Sequence, residues 1–197
     1  MSYQKYNVAI IPSEDVLEQA IQVSQQLAEH DAFFILNTEN VLPHVSLYHV
    51  ALFHDKVSEA ISVLEGLFES AFPVEMIQDE YDCVEGGWID MSYQKTKALC
   101  DLHFRTIKVM QDVWDRDVLE QFHDFSELSP EKQQVIQKYG WPASDLFFRP
   151  HLTLSRLQNE DCLSDVLREI PSRNFCGKYW LVCIGGAWCL HKTGPHV

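Results

Sequence analysis

Basic residues are scarce in this 197-residue chain. Lysine and arginine total 15 against 29 aspartate and glutamate residues, which gives a formal net charge of −14. Tight binding to an extended nucleic acid needs many cationic contacts with phosphates, so this balance argues against a long nucleic-acid partner. It remains compatible with a small nucleotide, or a single RNA terminus, as a ligand.

Long apolar runs are also missing. Residues 1–6 lack the basic and apolar regions of a signal peptide, and no apolar run approaches the ~20 residues that a membrane span needs. The six cysteines form no Cys-x-x-Cys pair and no Cys/His spacing typical of zinc sites. We therefore expect a cytoplasmic protein with reduced cysteines and no membrane partner.

The sequence has none of the short motifs of several familiar enzyme classes: no Walker loop, Rossmann glycine fingerprint, Gly-x-Ser-x-Gly elbow or His-Glu-x-x-His helix. His44, His49 and His54 are spaced by five, but an odd separation on a strand places successive side chains on opposite faces. This spacing argues against a metal site and predicts that His49 lies on the face behind His44. We expect neither a metal nor a cofactor.

The apolar periodicities predict one α+β domain over residues 1–197, with antiparallel sheets backed by helices. The predicted strands are 5–11, 33–36, 44–53, 73–81, 84–91, 151–157, 177–184 and 187–191, and the predicted helices are 14–29, 56–70, 95–114 and 160–170. An acidic stretch at about 115–146 interrupts this order. Because Ser129 can begin a helix that Gly140 ends, we interpret the stretch as a helical insertion, either a lid beside a cleft or a solvated connection.

One short pattern occurs twice, as PHVSL at residues 43–47 and PHLTL at residues 150–154. On a strand, alternate side chains share a face and lie about 7 Å apart, so each histidine lies above a hydroxyl. The intervening aliphatic side chains then point the other way, into a core. A single His-x-Ser/Thr triplet is a weak signal. Two copies with the same flanking residues predict a pseudo-symmetric pair of half-sites that meet at one cleft.

The polar side chains of the two copies suit phosphate chemistry. The unperturbed pKa of histidine lies near neutrality, so His44 and His151 can serve as base and acid in one reaction. Ser46 and Thr153 can then hold the reacting group between them. As nucleophiles the two hydroxyls lack an evident acidic partner and oxyanion loop, whereas phosphate binding accounts for both of them.

Two arginines flank the second copy. Arg149, two residues before His151, shares its face and is a candidate auxiliary phosphate contact. Arg156 is turned away from His151 by the same alternation, and a structural salt bridge is the better interpretation for it. Aromatic side chains can stack a nucleobase, although each is more often a core residue; the candidates are Tyr6, Tyr48, Trp88, Phe148 and Trp180.

The paired motifs resemble the signature of the two-histidine (2H) phosphoesterase superfamily, which contains 2′,5′ RNA ligase-like proteins and cyclic phosphodiesterases. That signature is two His-x-Thr/Ser-x motifs about half a chain apart, and here the first motif has Ser where Thr is commoner. The resemblance implies two pseudo-symmetric lobes, each an antiparallel sheet backed by helices, around a central cleft. It also implies His44 and His151 as the catalytic pair, with Ser46 and Thr153 on the phosphate oxygens.

The activity implied by the resemblance is metal-independent hydrolysis of a nucleoside or RNA-terminal 2′,3′-cyclic phosphate, or of a 2′,5′ phosphodiester, as in RNA processing. The expected partner is therefore a small nucleotide or an RNA terminus, and the expected oligomeric state is a monomer. The alternative is a non-catalytic protein of the same fold that binds a nucleotide or an RNA end.

Overall fold

A computed structural model describes residues 3–71, 73–114, 125–160, 163–170, 177–179 and 181–184. These residues form an α+β fold in which antiparallel strands are combined with several helices. The strands are β1 Tyr3–Ile11, β2 Val45–Phe53, β3 Val74–Met76, β4 Gln78–Val84, β5 Trp88–Tyr93, β6 His151–Arg156, β7 Gly177–Tyr179 and β8 Leu181–Ile184. The helices are α1 Glu14–Leu27, α2 Val57–Phe68, α3 Lys97–Met110, α4 Pro130–Tyr139 and α5 Leu163–Glu169.

The two strands that carry the repeated pattern are neighbours at the centre of the main sheet. Six strands form this sheet in the order β4-β5-β6-β2-β1-β8, and β3 pairs with β7 in a second sheet. Strands β2 and β6 are antiparallel and are in register at one pair, Val45 with Leu152. Both copies of the pattern therefore meet at the point where the two strands pair.

Most of the predicted elements are confirmed, and three strands differ. The predicted strand 177–184 is two strands in different sheets, because β7 pairs with β3 while β8 pairs with β1. The predicted strand 73–81 is divided at Ile77, because β3 pairs with β7 while β4 pairs with β5. The predicted strand 33–36 is wrong. Its Leu36 N–H donates to the Ser24 hydroxyl at 2.9 Å, so a helix side chain takes the place of a neighbouring strand. The predicted strand 187–191 lies outside the described residues.

The aliphatic residues of both patterns are buried in one core cluster, as predicted. Val45, Leu47, Leu152 and Leu154 pack there with the buried side of α1. A second cluster joins the continuation of β2, beginning at Tyr48, to helices α2, α3 and α4. The repeated pattern is thus anchored from behind by close-packed apolar side chains.

The turn between β4 and β5 holds the end of β6. Gly86 and Gly87 have φ values of 89° and 82°, a conformation that favours glycine. The Gly87 carbonyl accepts the Leu157 N–H at 2.8 Å. A Cβ at Gly87 would lie 2.2 Å from the Leu157 carbonyl oxygen, so this close approach depends on glycine.

The described part of the predicted insertion, from Phe125 onwards, contains the expected helix. The Ser129 hydroxyl caps α4 by accepting the Lys132 N–H at 3.3 Å, and Gly140 ends the helix with φ 77°. Helix α4 packs on the second core cluster through Val135 and Tyr139. Residues 115–124 lie outside the described residues. Within the described ranges, no helix combines the length and apolarity that crossing a bilayer requires.

Candidate functional site

The two motif histidines are held in the same way. The Nδ1–H of His44 donates to the Leu42 carbonyl at 2.8 Å, and the Nδ1–H of His151 donates to the Arg149 carbonyl at 2.7 Å. A carbonyl oxygen only accepts, so each imidazole carries its proton on Nδ1. In both rings Nε2 is therefore the nitrogen that can gain or lose a proton.

The strand register brings each histidine towards the hydroxyl of the other motif. In an antiparallel ladder, the residue that follows Val45 is opposite the residue that precedes Leu152, and the residue that precedes Val45 is opposite the residue that follows Leu152. Ser46 therefore lies towards His151, and His44 lies towards Thr153. The four side chains predicted from the repeat thus surround a single pair of strand residues.

Each motif strand contains a β-bulge at the same place in the pattern. Against β1, Ser46 pairs with Ala9 and Tyr48 pairs with Val8, which leaves Leu47 as the extra residue. Against β5, Thr153 and Ser155 pair with consecutive residues, which leaves Leu154 as the extra residue. A bulge shifts the alternation of side chains by one position. Residues beyond it therefore face the opposite way from the regular strand pattern.

Because of the first bulge, the prediction that His49 lies behind the site is wrong. His49 pairs with Asn7, whose side chain reaches Ser46, so the three side chains share one face. The imidazole of His49 stacks on Trp141 with ring centroids 4.3 Å apart. Burial, and then the nearby charges of His44 and His151, lower the pKa of His49 to about 4. His49 is thus a neutral member of the site at physiological pH.

The second bulge overturns the corresponding prediction for Arg156. Arg156 pairs with Trp88 and Thr153 pairs with Asp90, and residues 88 and 90 share a face of β5. Arg156 therefore lies on the same face as Thr153. Its guanidinium lies over the rings of Phe33 and Trp88, with Cζ 4.8 Å and 4.9 Å from the two centroids. Among the described residues, Arg156 does not form the expected salt bridge.

The two motif hydroxyls have different partners. Ser46 Oγ accepts from Asn7 Nδ2 at 2.8 Å, and this bond does not use the hydroxyl proton. Thr153 Oγ1 donates to Asp90 Oδ1 at 2.8 Å. The first half-site therefore offers a hydroxyl proton to an anion, whereas in the second the hydroxyl proton is held by a carboxylate.

Asp90 is a site residue that the sequence prediction missed. Its side chain is 4% exposed, and its Oδ2 forms a short ion pair with Arg149 and lies 3.8 Å from His151 Nε2. Arg149 also pairs with Asp82 at 2.9 Å. The positive charge of Arg149, the candidate phosphate contact, is thus balanced by two carboxylates. The sequence signal was an aspartate between Ile89 and Met91 in an otherwise buried strand.

A cavity of about 440 Å³ opens beside the motifs. Ser46, His49, Arg149 and His151 line the cavity together with the segment that follows α4. That segment contributes Trp141, Pro142, Ala143 and Phe147, with Lys132 from α4 itself. His44 and Thr153 are not among the lining residues. The volume falls in the range of small-molecule sites.

Three of the five aromatic candidates from the sequence belong to the core, although two of them, Tyr48 and Phe148, also line the cavity. Tyr6, Tyr48 and Phe148 are buried, and Trp180 lies outside the described residues. Trp88 is partly exposed and lies under Arg156. Among the described residues, no group of three His, Cys, Asp or Glu side chains is arranged to hold a metal ion.

No protein-family model matches the chain, and a search of curated proteins returns no significant match.

Proposed function

We propose that the chain is a phosphodiesterase of the two-histidine type, which hydrolyses a nucleoside or RNA-terminal 2′,3′-cyclic phosphate or a 2′,5′ phosphodiester without a metal. The observation that carries the proposal is the matched tethering of His44 and His151 by carbonyls two residues earlier in the chain. Two imidazoles in the same tautomer, one just before β2 and one at the start of the adjacent β6, suit a reaction that needs one base and one acid.

In this reaction, one histidine Nε2 takes a proton from water or from a ribose hydroxyl, whose oxygen attacks phosphorus. The other histidine, protonated at the start, gives its Nε2 proton to the departing ribose oxygen. One P–O bond forms as one breaks, and the two histidines finish in exchanged protonation states. Each is then restored by proton exchange with water.

Ser46 and Thr153 steady the charge that builds on the non-bridging oxygens. Ser46 is ready for this task, since its contact with Asn7 leaves the hydroxyl proton available. Thr153 must turn its hydroxyl from Asp90 to the phosphate, a rotation about one bond. Loss of either histidine therefore costs more activity than loss of either hydroxyl.

The fold behind this site is proposed to be two pseudo-symmetric lobes, one with β1 and β2 and the other with β5 and β6. The equivalent bulges at Leu47 and Leu154 support this relation, because each follows its motif hydroxyl directly. The cavity beside Trp141 then receives one nucleoside of the substrate, with its phosphate towards Ser46 and His151.

The test is product analysis of 2′,3′-cyclic AMP and a 2′,5′-linked dinucleotide, incubated in EDTA with wild type, His44→Ala and His151→Ala. Turnover by wild type, lost in both variants, supports the proposal. The matched control is His54→Ala, which removes an exposed histidine beyond the end of β2 and should turn over substrate like wild type. A strict requirement for added metal would contradict the mechanism. Binding of both compounds without turnover would favour the alternative of a nucleotide-binding protein.

A further inference from the structure

An aromatic platform lies at the end of β6, on the face that carries Thr153. It consists of Phe33, Trp88 and Arg156. The Arg156 guanidinium contacts both rings, and its Nε donates to the Gly86 carbonyl at 2.9 Å. The Phe33 N–H donates to the Arg156 carbonyl at 2.8 Å, which fixes the backbone of Phe33 beside the strand. The platform is therefore held in position from two directions.

One ring of the platform is largely exposed to solvent. Phe33 is 58% exposed, although its backbone and the guanidinium against it are both fixed. An ordered, exposed aromatic ring beside a cation is the arrangement that stacks nucleobases in proteins that bind single strands. The positive charge of Arg156 also offsets, locally, the acidic character of the chain.

The platform has a counterpart in the other half of the site. His49 and Arg156 each stand five residues after a motif histidine, and each reaches the site face because of a bulge. His49 stacks on Trp141, which precedes the second motif, and Arg156 stacks on Phe33, which precedes the first motif. The site therefore has an aromatic contact on each side of the paired motif strands, a stacked ring pair at His49 and a cation–π contact at Arg156.

The separation between Thr153 and Arg156 matches the distance between the phosphate and the base of a nucleotide. Arg156 lies three residues beyond Thr153, and the bulge at Leu154 uses one of them, so the two side chains are about 7 Å apart along the strand. One nucleoside spans such a separation between its phosphate and its base. A base on the platform and a second base in the cavity by Trp141 would thus belong to nucleosides on opposite sides of one phosphate.

We propose that Phe33, Trp88 and Arg156 form a second nucleobase subsite, so that the preferred substrate is a phosphodiester with a nucleoside on each side of the scissile phosphate. This inference rests on the proposed function and narrows it. A nucleoside 2′,3′-cyclic phosphate fills only the cavity subsite, whereas a 2′,5′-linked dinucleotide fills both.

The test compares the dissociation constants of 2′,5′-linked diadenosine monophosphate and of 2′,3′-cyclic AMP, measured by calorimetry on the His44→Ala protein to prevent turnover. Adding Phe33→Ala should weaken dinucleotide binding about tenfold or more, and cyclic AMP binding by less than about twofold. Adding Phe33→Trp, which keeps a stacking ring, should preserve dinucleotide binding. The matched control is Phe104→Ala, which removes an exposed phenylalanine from α3 and should change neither constant.

The other outcomes separate a failure of the second subsite from a failure of the proposed catalysis. Equal losses for both ligands, no loss for the dinucleotide, or no measurable dinucleotide binding to the parent protein would overturn the second subsite. If wild type turns over neither compound while Phe33→Ala still weakens only the dinucleotide, the proposed catalysis fails and the subsite stands. Phe33 is exposed, so its substitution should leave folding intact, which a matching thermal unfolding curve would verify.

Discussion

His103 Nδ1–H donates to the Leu47 carbonyl oxygen across 2.7 Å, and this bond joins helix α3 to the bulge in the first motif strand. The other ring nitrogen, Nε2, accepts the Asp145 N–H at 3.2 Å. The imidazole also stacks on Phe148 with centroids 3.9 Å apart. One buried neutral histidine thus fastens together the bulge, a helix and the loop that precedes the second motif.

His103→Ala should lower the free energy of unfolding by about 3 kcal/mol, because it removes two buried hydrogen bonds and leaves a cavity. Urea denaturation followed by tryptophan fluorescence measures the change. His54→Ala is the control, since an exposed histidine should change stability by no more than about 0.5 kcal/mol. Equal midpoints for the two variants would show that His103 does not fasten the bulge.

His49 should make the protein sensitive to acid. Its folded-state pKa of about 4 lies below the unfolded-state value of 6.5, so the unfolded chain binds the proton more tightly. The resulting stability is fully present above pH 6.5 and is lost as the pH falls towards 4. The loss amounts to at most about 3 kcal/mol.

The measurement for His49 is the change in unfolding free energy between pH 7 and pH 4.5, for wild type and His49→Gln. The change should be smaller in the variant, which keeps a polar side chain that cannot titrate. Burial also lowers the pKa of His103, so part of the acid sensitivity should remain in both proteins. Parallel stability curves over this range would rule out the assigned role of His49.

Asp90→Asn should destabilise the protein by about 2 kcal/mol, because it breaks the ion pair of a nearly buried carboxylate while keeping an acceptor for Thr153. Asp82→Asn is the matched control. It breaks the other ion pair of the same Arg149, but Asp82 is more exposed, so the cost should be less than about 1 kcal/mol. Chemical denaturation of both, repeated with Arg149→Met, tests the assignment. If Asp90→Asn lowered the free energy of unfolding equally in the wild-type and Arg149→Met proteins, the coupling of Asp90 to Arg149 would be contradicted.

Two glycine-to-alanine substitutions should have opposite effects. Gly87→Ala should destabilise by about 2 kcal/mol or more, since the residue has positive φ and its Cβ would collide with the Leu157 carbonyl. Gly66→Ala should stabilise by about 0.5–1 kcal/mol, because Gly66 lies inside α2 with no atom near its Cβ. Thermal melts of the two proteins measure the difference. A Gly87→Ala protein that melts at or above the wild-type temperature would show that this turn tolerates a side chain, and a lower melting temperature for Gly66→Ala would contradict the prediction for the helix.

Local alternation along the strands predicted a large part of the fold and of the site. It correctly placed Val45 and Leu152 in the core, and the register brings the four motif side chains around this pair. It failed for His49 and Arg156, because a bulge is visible only in the register of a strand against its neighbour. The acidic partner of Thr153 was missed for a related reason, since Asp90 comes from a strand 63 residues away.

The equivalent bulges place unlike chemistry at equivalent positions. One end of the site presents the imidazole of His49, which burial and neighbouring charges keep neutral, and the other presents the permanent cation of Arg156. The two ends of the site therefore differ in charge, although a bulge lies at the equivalent place in each strand. For a ligand with dissimilar ends, the two possible orientations in such a site would differ in binding free energy. If the proposed site binds a phosphodiester, this difference in charge would favour one orientation of the ligand over the reverse.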